Sequence, residues 1–199
     1  MKSDKQFIQL QTMVIAALLC AIGIVIPMFA PKIILGPVSF TLASHVAIFI
    51  AMFISPPVAL AVSLVTTTGF FFAGFPIVIV LRALTHVVFA LTGAFLLKKS
   101  PKILASFASS TVFGLFLALI HAVCEIIVVT FFYFGNSLSK EFYSNGYFLS
   151  VIALLGFGTI IHSMIDFGIA ALVWKPVTHV VQIPYNAKFN FKKKETVQQ

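Results

Sequence analysis

Of 199 residues, 60% are hydrophobic and 9% charged, with 23 phenylalanines, a balance that excludes a soluble globular or disordered chain and leaves an integral membrane protein. The formal net charge of +8 falls on lysines gathered at a few breaks and at the chain ends. There it reports membrane orientation and gives no support to a nucleic-acid partner.

Proline, glycine and lysine clusters divide the chain into six apolar spans. The first covers residues 11–29 and contains AALLC at 16–20. That stretch is close to a lipoprotein cleavage signal, but Leu19 stands where a small residue is needed and the apolar run continues past Cys20, so the span is expected to be retained. APKIILGPVSF at 30–40 interrupts helix with its prolines and glycine, and a second span runs to residue 54, closed by SPP at 55–57. The third span, 58–73, ends in GFP, and the fourth, 77–97, ends in KKSPK. The fifth, 103–134, and sixth, 149–181, exceed the roughly 20 residues that cross a bilayer, so they should tilt or project into water. Between them lies the polar loop GNSLSKEFYSNG at 135–146.

The expected fold class is therefore an all-α membrane protein with six transmembrane helices over residues 1–185, followed by a polar, mobile tail over 186–199. Six crossings put both termini on one side. Lys2, Lys5, Lys98, Lys99, Lys102, Lys188, Lys192, Lys193 and Lys194 fall on that side, against Lys32 and Lys140 on the other. The side of the termini is cytoplasmic by the excess of lysine. Cys20 and Cys124 lie in apolar runs without metal-type spacing and are expected to be packing residues. No cofactor and no metal site are expected.

The last three spans carry ionisable residues in pairs: Arg82 with His86, His121 with Glu125, and His162 with Asp166. Spacing i, i+4 puts both members of a pair on one face of a helix, so each helix has one polar stripe that must avoid lipid. Counted at about 1.5 Å per residue from the outer end of each span, Arg82 lies about 8 Å deep, His86 and Glu125 about 14 Å, and His121 and His162 about 20 Å. Asp166 lies deeper, so the groups form a column descending from outside. An intramembrane charge costs several kcal/mol unless paired or solvated in a cavity. Arg82 therefore wants a carboxylate, and two readings stay open: a structural pair with Glu125, or a cavity in which the guanidinium grips an anionic ligand with its planar fork. Thr66 and Thr67 can add hydroxyls to such a site or simply pack their helix, and His45 in SFTLASH can close over it or serve as a helix-terminal residue.

The first span also carries Ala17 and Ala21, an AxxxA pair reading ALLCA, which leaves a shallow groove where another helix can approach closely. With six spans in about 200 residues, an outer loop after the first span, and the texture of SFTLASHVAIFIAMFISPPVA and GFPIVIVLRALTHVVFAL, the chain resembles the substrate-binding S components of energy-coupling factor (ECF) vitamin transporters. It is most similar in texture to the niacin and pantothenate members. The resemblance implies high-affinity capture of a small carboxylate-bearing vitamin and docking through Ala17 and Ala21 on an ECF transmembrane coupling subunit that works with two ATPase subunits. It further implies toppling in the bacterial membrane to release ligand inward. It makes Arg82, His86, Glu125, His121, His162 and His45 the candidate substrate-binding residues.

Other classes compete. HxxxE and HxxxD pairs suit a divalent metal transporter, but Arg82 repels a cation unless Glu125 neutralises it. Ser163 beside His162 suggests a hydrolase, yet adjacent helical residues point about 100° apart and there is no GxSxG elbow, so no enzyme is expected. The chain has no GxxxxGK[ST] phosphate loop, so ATP hydrolysis belongs to partner subunits.

Overall fold

The computed structural model describes residues 2–180 and 183–189. It is an all-α membrane protein with one small hairpin. Helix α1, Lys2–Phe29, starts ahead of the predicted apolar span because the polar stretch before it is built from helix-tolerant residues such as Lys5, Gln6 and Gln9. The segment after it, expected only to interrupt helix, forms strands β1, Lys32–Leu35, and β2, Val38–Thr41, paired antiparallel with Leu35 opposite Val38. The two residues between are Gly36 and Pro37. Gly36 holds φ at +57°, the left-handed value that a two-residue hairpin turn demands at its first position, and Pro37 supplies the negative φ of the second. Along β2 the buried Val38 and Phe40 alternate with more exposed neighbours. They pack on Val129, Val151 and Leu155, which lays the hairpin across one end of the helices.

Helix α2, Val46–Ile54, has nine residues and every one is buried. A helix apolar all round has no face to give to water, and this one runs through the middle of the bundle. Ser55 breaks it in extended conformation, and Pro56 and Pro57 start α3, Pro56–Phe72, where a missing N–H costs nothing. Helix α4, Ile77–Lys99, ends on Lys98 and Lys99, whose charge suits the negative end of the helix dipole. The predicted start of the fifth span at 103 moves: Pro101–Leu104 is a single tight 3₁₀ turn, and Ser106 caps α5, Phe107–Phe134, reciprocally with Ser109. The outer loop after α5 contains a short helix, α6, Lys140–Ser144. The last span runs over Phe148–Val180, first with wide i→i+5 turns over Phe148–Phe157 and then as α7, Gly158–Val180. Among the described residues four helices are long and apolar enough to cross a membrane, α3 is shorter, and α1 is the least buried of the four long ones.

Phe49, Phe53, Phe89, Phe167 and Trp174 fill the centre of the bundle around α2. At the end away from the hairpin, the backbone N–H groups of Asn186 and Ala187 donate to the carbonyl of Phe53 at 3.0 and 3.1 Å, and Trp174 Nε1 donates to Ala187 O at 3.3 Å. Residues 183–189 thus close the floor beneath α2. Residues 190–199, which hold most of the polar tail, lie outside the described residues.

The hairpin reaches the bundle only because Gly158 has no side chain: a Cβ there would sit 2.5 Å from the ring of Phe40. Gly158→Val should overpack this contact and cost about 1–3 kcal/mol, read as a lower thermal unfolding midpoint of the detergent-purified protein. Adding Phe40→Ala should recover part of the loss, and a Gly158→Val protein as stable as the parent would contradict the packing described.

Candidate functional site

The polar pairs of α4, α5 and α7 converge beneath the hairpin. Helical spacing brings each stripe inward as expected, but the groups gather into one compact knot instead of a descending column. The ring of His45 lies 4.6 Å from that of His86 and 4.7 Å from those of His121 and His162, centre to centre, and His86 and His121 are 4.9 Å apart.

Asp166 holds the knot from below. It is wholly buried, and its Oδ1 accepts the backbone N–H of Ala43 at 2.8 Å while Oδ2 accepts that of His45 at 2.9 Å. Those N–H groups precede α2, where no side chain of the chain's own N-cap satisfies them. Ala43 adopts φ +65°, a left-handed conformation costing about 1–2 kcal/mol for a residue with a Cβ, and its bond to Asp166 helps hold it there. The same Oδ2 lies 3.1 Å from His45 Nδ1. A carboxylate only accepts, so the neutral His45 carries its proton on Nδ1 and turns Nε2, as an acceptor, to His86 Nε2 at 3.2 Å. Ser44 Oγ bonds His162 Nε2 at 3.1 Å, and His162 Nε2 is 3.4 Å from Asp166 Oδ2.

On the other side of the knot Arg82 and Glu125 face each other across α4 and α5. Nε donates to Oε1 at 3.0 Å and Nη2 to Oε2 at 3.1 Å, so the carboxylate takes the side edge of the fork with both oxygens. Thr159 of α7 donates to Glu125 Oε2 at 2.6 Å. Nη1 has no hydrogen-bond partner among the described residues, and the Arg82 side chain keeps 17% of its surface exposed. His121 is bonded through Nδ1 to Ser163 Oγ at 2.7 Å. Its Nε2 is 3.4 Å from Glu125 Oε1 but misaligned, and this atom is buried without a hydrogen bond.

A cavity of about 100 Å³ opens beside these groups. Its walls include Arg82, His86, Glu125, His45 and His162, with Ser39, Phe40 and Thr41 of the hairpin above and Lys32 at the edge. His121 stands one layer behind. Thr66 also reaches the wall, but its hydroxyl bonds Val62 O and Ser63 O of its own helix, as Thr67 bonds Ser63 O, so neither offers a free donor. Ala17 and Ala21 are not among the residues lining the cavity and are exposed on the outer face of α1.

Two contributors, Thr159 and Ser44, are missing from the sequence reading, and Ser163 enters it only as a neighbour of His162, not as the partner of His121 that it is. Thr159 and Ser163 belong to the stripe of His162 and Asp166, since 159, 163 and 166 recur at helical intervals, and that periodicity is their available signal. Ser44 had none, because its position depends on the turn that Asp166 clamps.

The chain is 41% identical over 163 residues to the niacin transporter NiaX of Lactococcus lactis subsp. cremoris (strain MG1363), an alignment covering 81% of this chain and 72% of that protein. No family model matches the chain, and no solved structure does.

Removing one partner of a buried pair strands the other charge. Glu125→Ala should cost about 3 kcal/mol in thermal or denaturant unfolding of the detergent-purified protein, whereas Arg82→Leu with Glu125→Leu should cost distinctly less. Losses that simply add across the two sites would show that the pair is not coupled.

Proposed function

The chain belongs to the family of ECF-transporter S components that includes the niacin transporter NiaX, and from that membership we propose that its cavity captures niacin by its carboxylate, through Arg82. It is a multi-pass protein of the bacterial cell membrane that binds a vitamin for import together with ECF partner subunits. The observation that carries the niacin reading is the half-used guanidinium. Glu125 occupies the Nε/Nη2 edge, which orients the fork, and the Nη1/Nη2 edge remains for a second carboxylate beside the cavity. The two readings of Arg82 therefore merge: the structural pair with Glu125 is what aims the free edge.

The pyridine ring of the vitamin then lies among His86, His45 and His162, with Phe40 of the hairpin closing above, and His121 and Glu125 act from the wall. Niacin suits a cavity of this size better than the longer pantothenate. A metal ion as cargo is not favoured, because the relative transports niacin. The membrane arrangement we infer has six crossings with both termini cytoplasmic, which opens the hairpin side to the exterior. In it, the short α2 completes its crossing with non-helical backbone, tolerated at membrane depth because it is buried in protein. Residues 1–185 form the binding domain, and 186–199 follow it on the cytoplasmic side. The chain is not itself an enzyme in this reading. One coupling subunit and two ATPases supply the energy, and the coupling subunit packs against Ala17 and Ala21 on the open face of α1, whose neighbours Val14, Leu18 and Ile22 are exposed apolar residues.

Arg82→Ala should weaken niacin binding about 10- to 100-fold, the range of a charge-assisted hydrogen bond of about 1.5–3 kcal/mol, in calorimetric titration of the purified protein. Nicotinamide, which lacks the carboxylate, should bind the unsubstituted protein with a comparable deficit; an Arg82→Ala protein of undiminished affinity sinks the assignment. Ala21→Phe should leave niacin affinity unchanged while abolishing co-purification with the coupling subunit and uptake of labelled niacin. Full uptake by that variant would place docking elsewhere.

A further inference from the structure

Four of the chain's five histidines meet in the knot, far more imidazole than one carboxylate ligand needs. Three of them, His45, His86 and His121, each bring one ring nitrogen within 4.8 Å of the others, and all three are buried. His45 Nε2 and His86 Nε2 stand 3.2 Å apart. Two nitrogens held about 2.0–2.1 Å from a tetrahedral zinc ion lie about 3.3 Å apart, so this pair is already at the spacing of neighbouring ligands.

The surroundings of the rings agree. A metal-bound histidine has its other nitrogen held by a carboxylate or another oxygen, which fixes the tautomer and aims the free lone pair. His45 has this arrangement through Nδ1 and Asp166 at 3.1 Å, and His121 has it through Nδ1 and Ser163 at 2.7 Å. The nitrogen left over on His121 is Nε2, which is buried with the ring at 1% exposure and makes no aligned hydrogen bond, although Glu125 Oε1 lies 3.4 Å away. A buried polar atom without an aligned partner costs free energy unless something satisfies it. A cation also meets no net repulsion from Arg82, because Glu125 neutralises the guanidinium with both oxygens.

We propose that His45, His86 and His121 hold a resident divalent ion of the zinc, cobalt or nickel class, and that its open fourth position takes the ring nitrogen of a pyridine carboxylate. The second half rests on the niacin reading above. Imidazole and pyridine are donors of the same borderline kind, and three histidines with one open position is the ligand set of metals that bind small molecules. The charges also balance: the ion with Asp166 leaves one positive charge beside a neutral Arg82–Glu125 pair, and a vitamin carboxylate cancels it. The ion stays with the protein, unlike a transported metal, and binding it moves the proton of His86 from Nε2 to Nδ1.

The test is a titration of chelator-treated, detergent-purified protein with Co²⁺. One ion per chain should bind and give the intense visible d–d bands of a tetrahedral site. His121→Gln should abolish the bands, Ser163→Ala should weaken binding about tenfold by releasing the ring, and His179→Gln, which alters the one histidine outside the knot, should keep them. Niacin should shift the bands while benzoate, with the same carboxylate and no ring nitrogen, should not, and EDTA should lower niacin affinity at least tenfold. The titration of the unsubstituted protein needs no variant to fold, and absence of the bands there overturns the proposal, as does their persistence in His121→Gln. Niacin affinity indifferent to EDTA overturns the metal's part in binding and leaves the niacin reading standing, whereas cobalt bands that niacin does not shift overturn the ligand half of this proposal, and the niacin reading falls only if the calorimetric titration shows no niacin binding.

Discussion

The carboxylate of Asp166 makes the rest of the site possible. Backbone groups buried away from water have nothing else to fall back on, and each one left unsatisfied costs about 1–3 kcal/mol. The chain nevertheless leaves helix between α1 and α2, and it does so where the N–H groups of Ala43 and His45 can both donate to one buried side chain. That clamp fixes a left-handed Ala43, starts the fully buried α2, and turns His45 toward the helices that carry the other histidines. One carboxylate thus supplies the cap that the local sequence lacks, and a ring orientation besides. Its own burial is repaid by the three donors it accepts.

Glu125 does the corresponding work on the other side. It keeps a guanidinium at membrane depth by neutralising it, and Thr159 fixes the carboxylate in turn. A lone arginine in that place would turn its fork to whatever oxygen came near. Held along one edge, it presents the other in a fixed plane, and little of the side-chain entropy of arginine remains to be lost when an anion arrives. Both carboxylates therefore act mainly by setting the direction of a nitrogen-bearing partner.

The long helices were plain in the sequence because apolar runs bounded by Pro, Gly and Lys report length and boundary directly, and the convergence of Arg82, His86, His121, Glu125, His162 and Asp166 followed from spacing alone. The hairpin was not legible as strands: KIIL is exposed throughout and only two residues of VSFT are buried, so no alternation of useful length stands out. The depth order failed to anticipate the knot because counting along separate helices ignores tilt and the wide turns over Phe148–Phe157, which shift how residues of the last span line up with their neighbours. Which carboxylate would meet which cation was legible for Arg82 and Glu125, where only one candidate lay near. It was hidden for Asp166, whose main partners are backbone atoms more than a hundred residues away.

Helix α1 joins the two halves of the proposed function. Leu19, Gly23 and Pro27 recur every four residues and are buried, and Gly23 and Pro27 form part of the cavity wall. Ala17 and Ala21 lie two positions from Leu19 and Gly23, about 200° around the helix, on the exposed side. A helix has no slack across its diameter, so in the docking proposed above a partner on the alanine face leans on the element that walls the cavity from the opposite side. Gly23 leaves room for Thr66 of α3 to touch α1 closely, and Gly69 does the same for Ile24. These contacts bind α1 to α3, while the histidines and the arginine reside on α4, α5, α7 and the turn before α2. The outermost and least buried long helix thus carries both a wall of the cavity, at Gly23 and Pro27, and the exposed alanine face, and at Gly23 it meets Ala47 of α2 as well as Thr66 of α3.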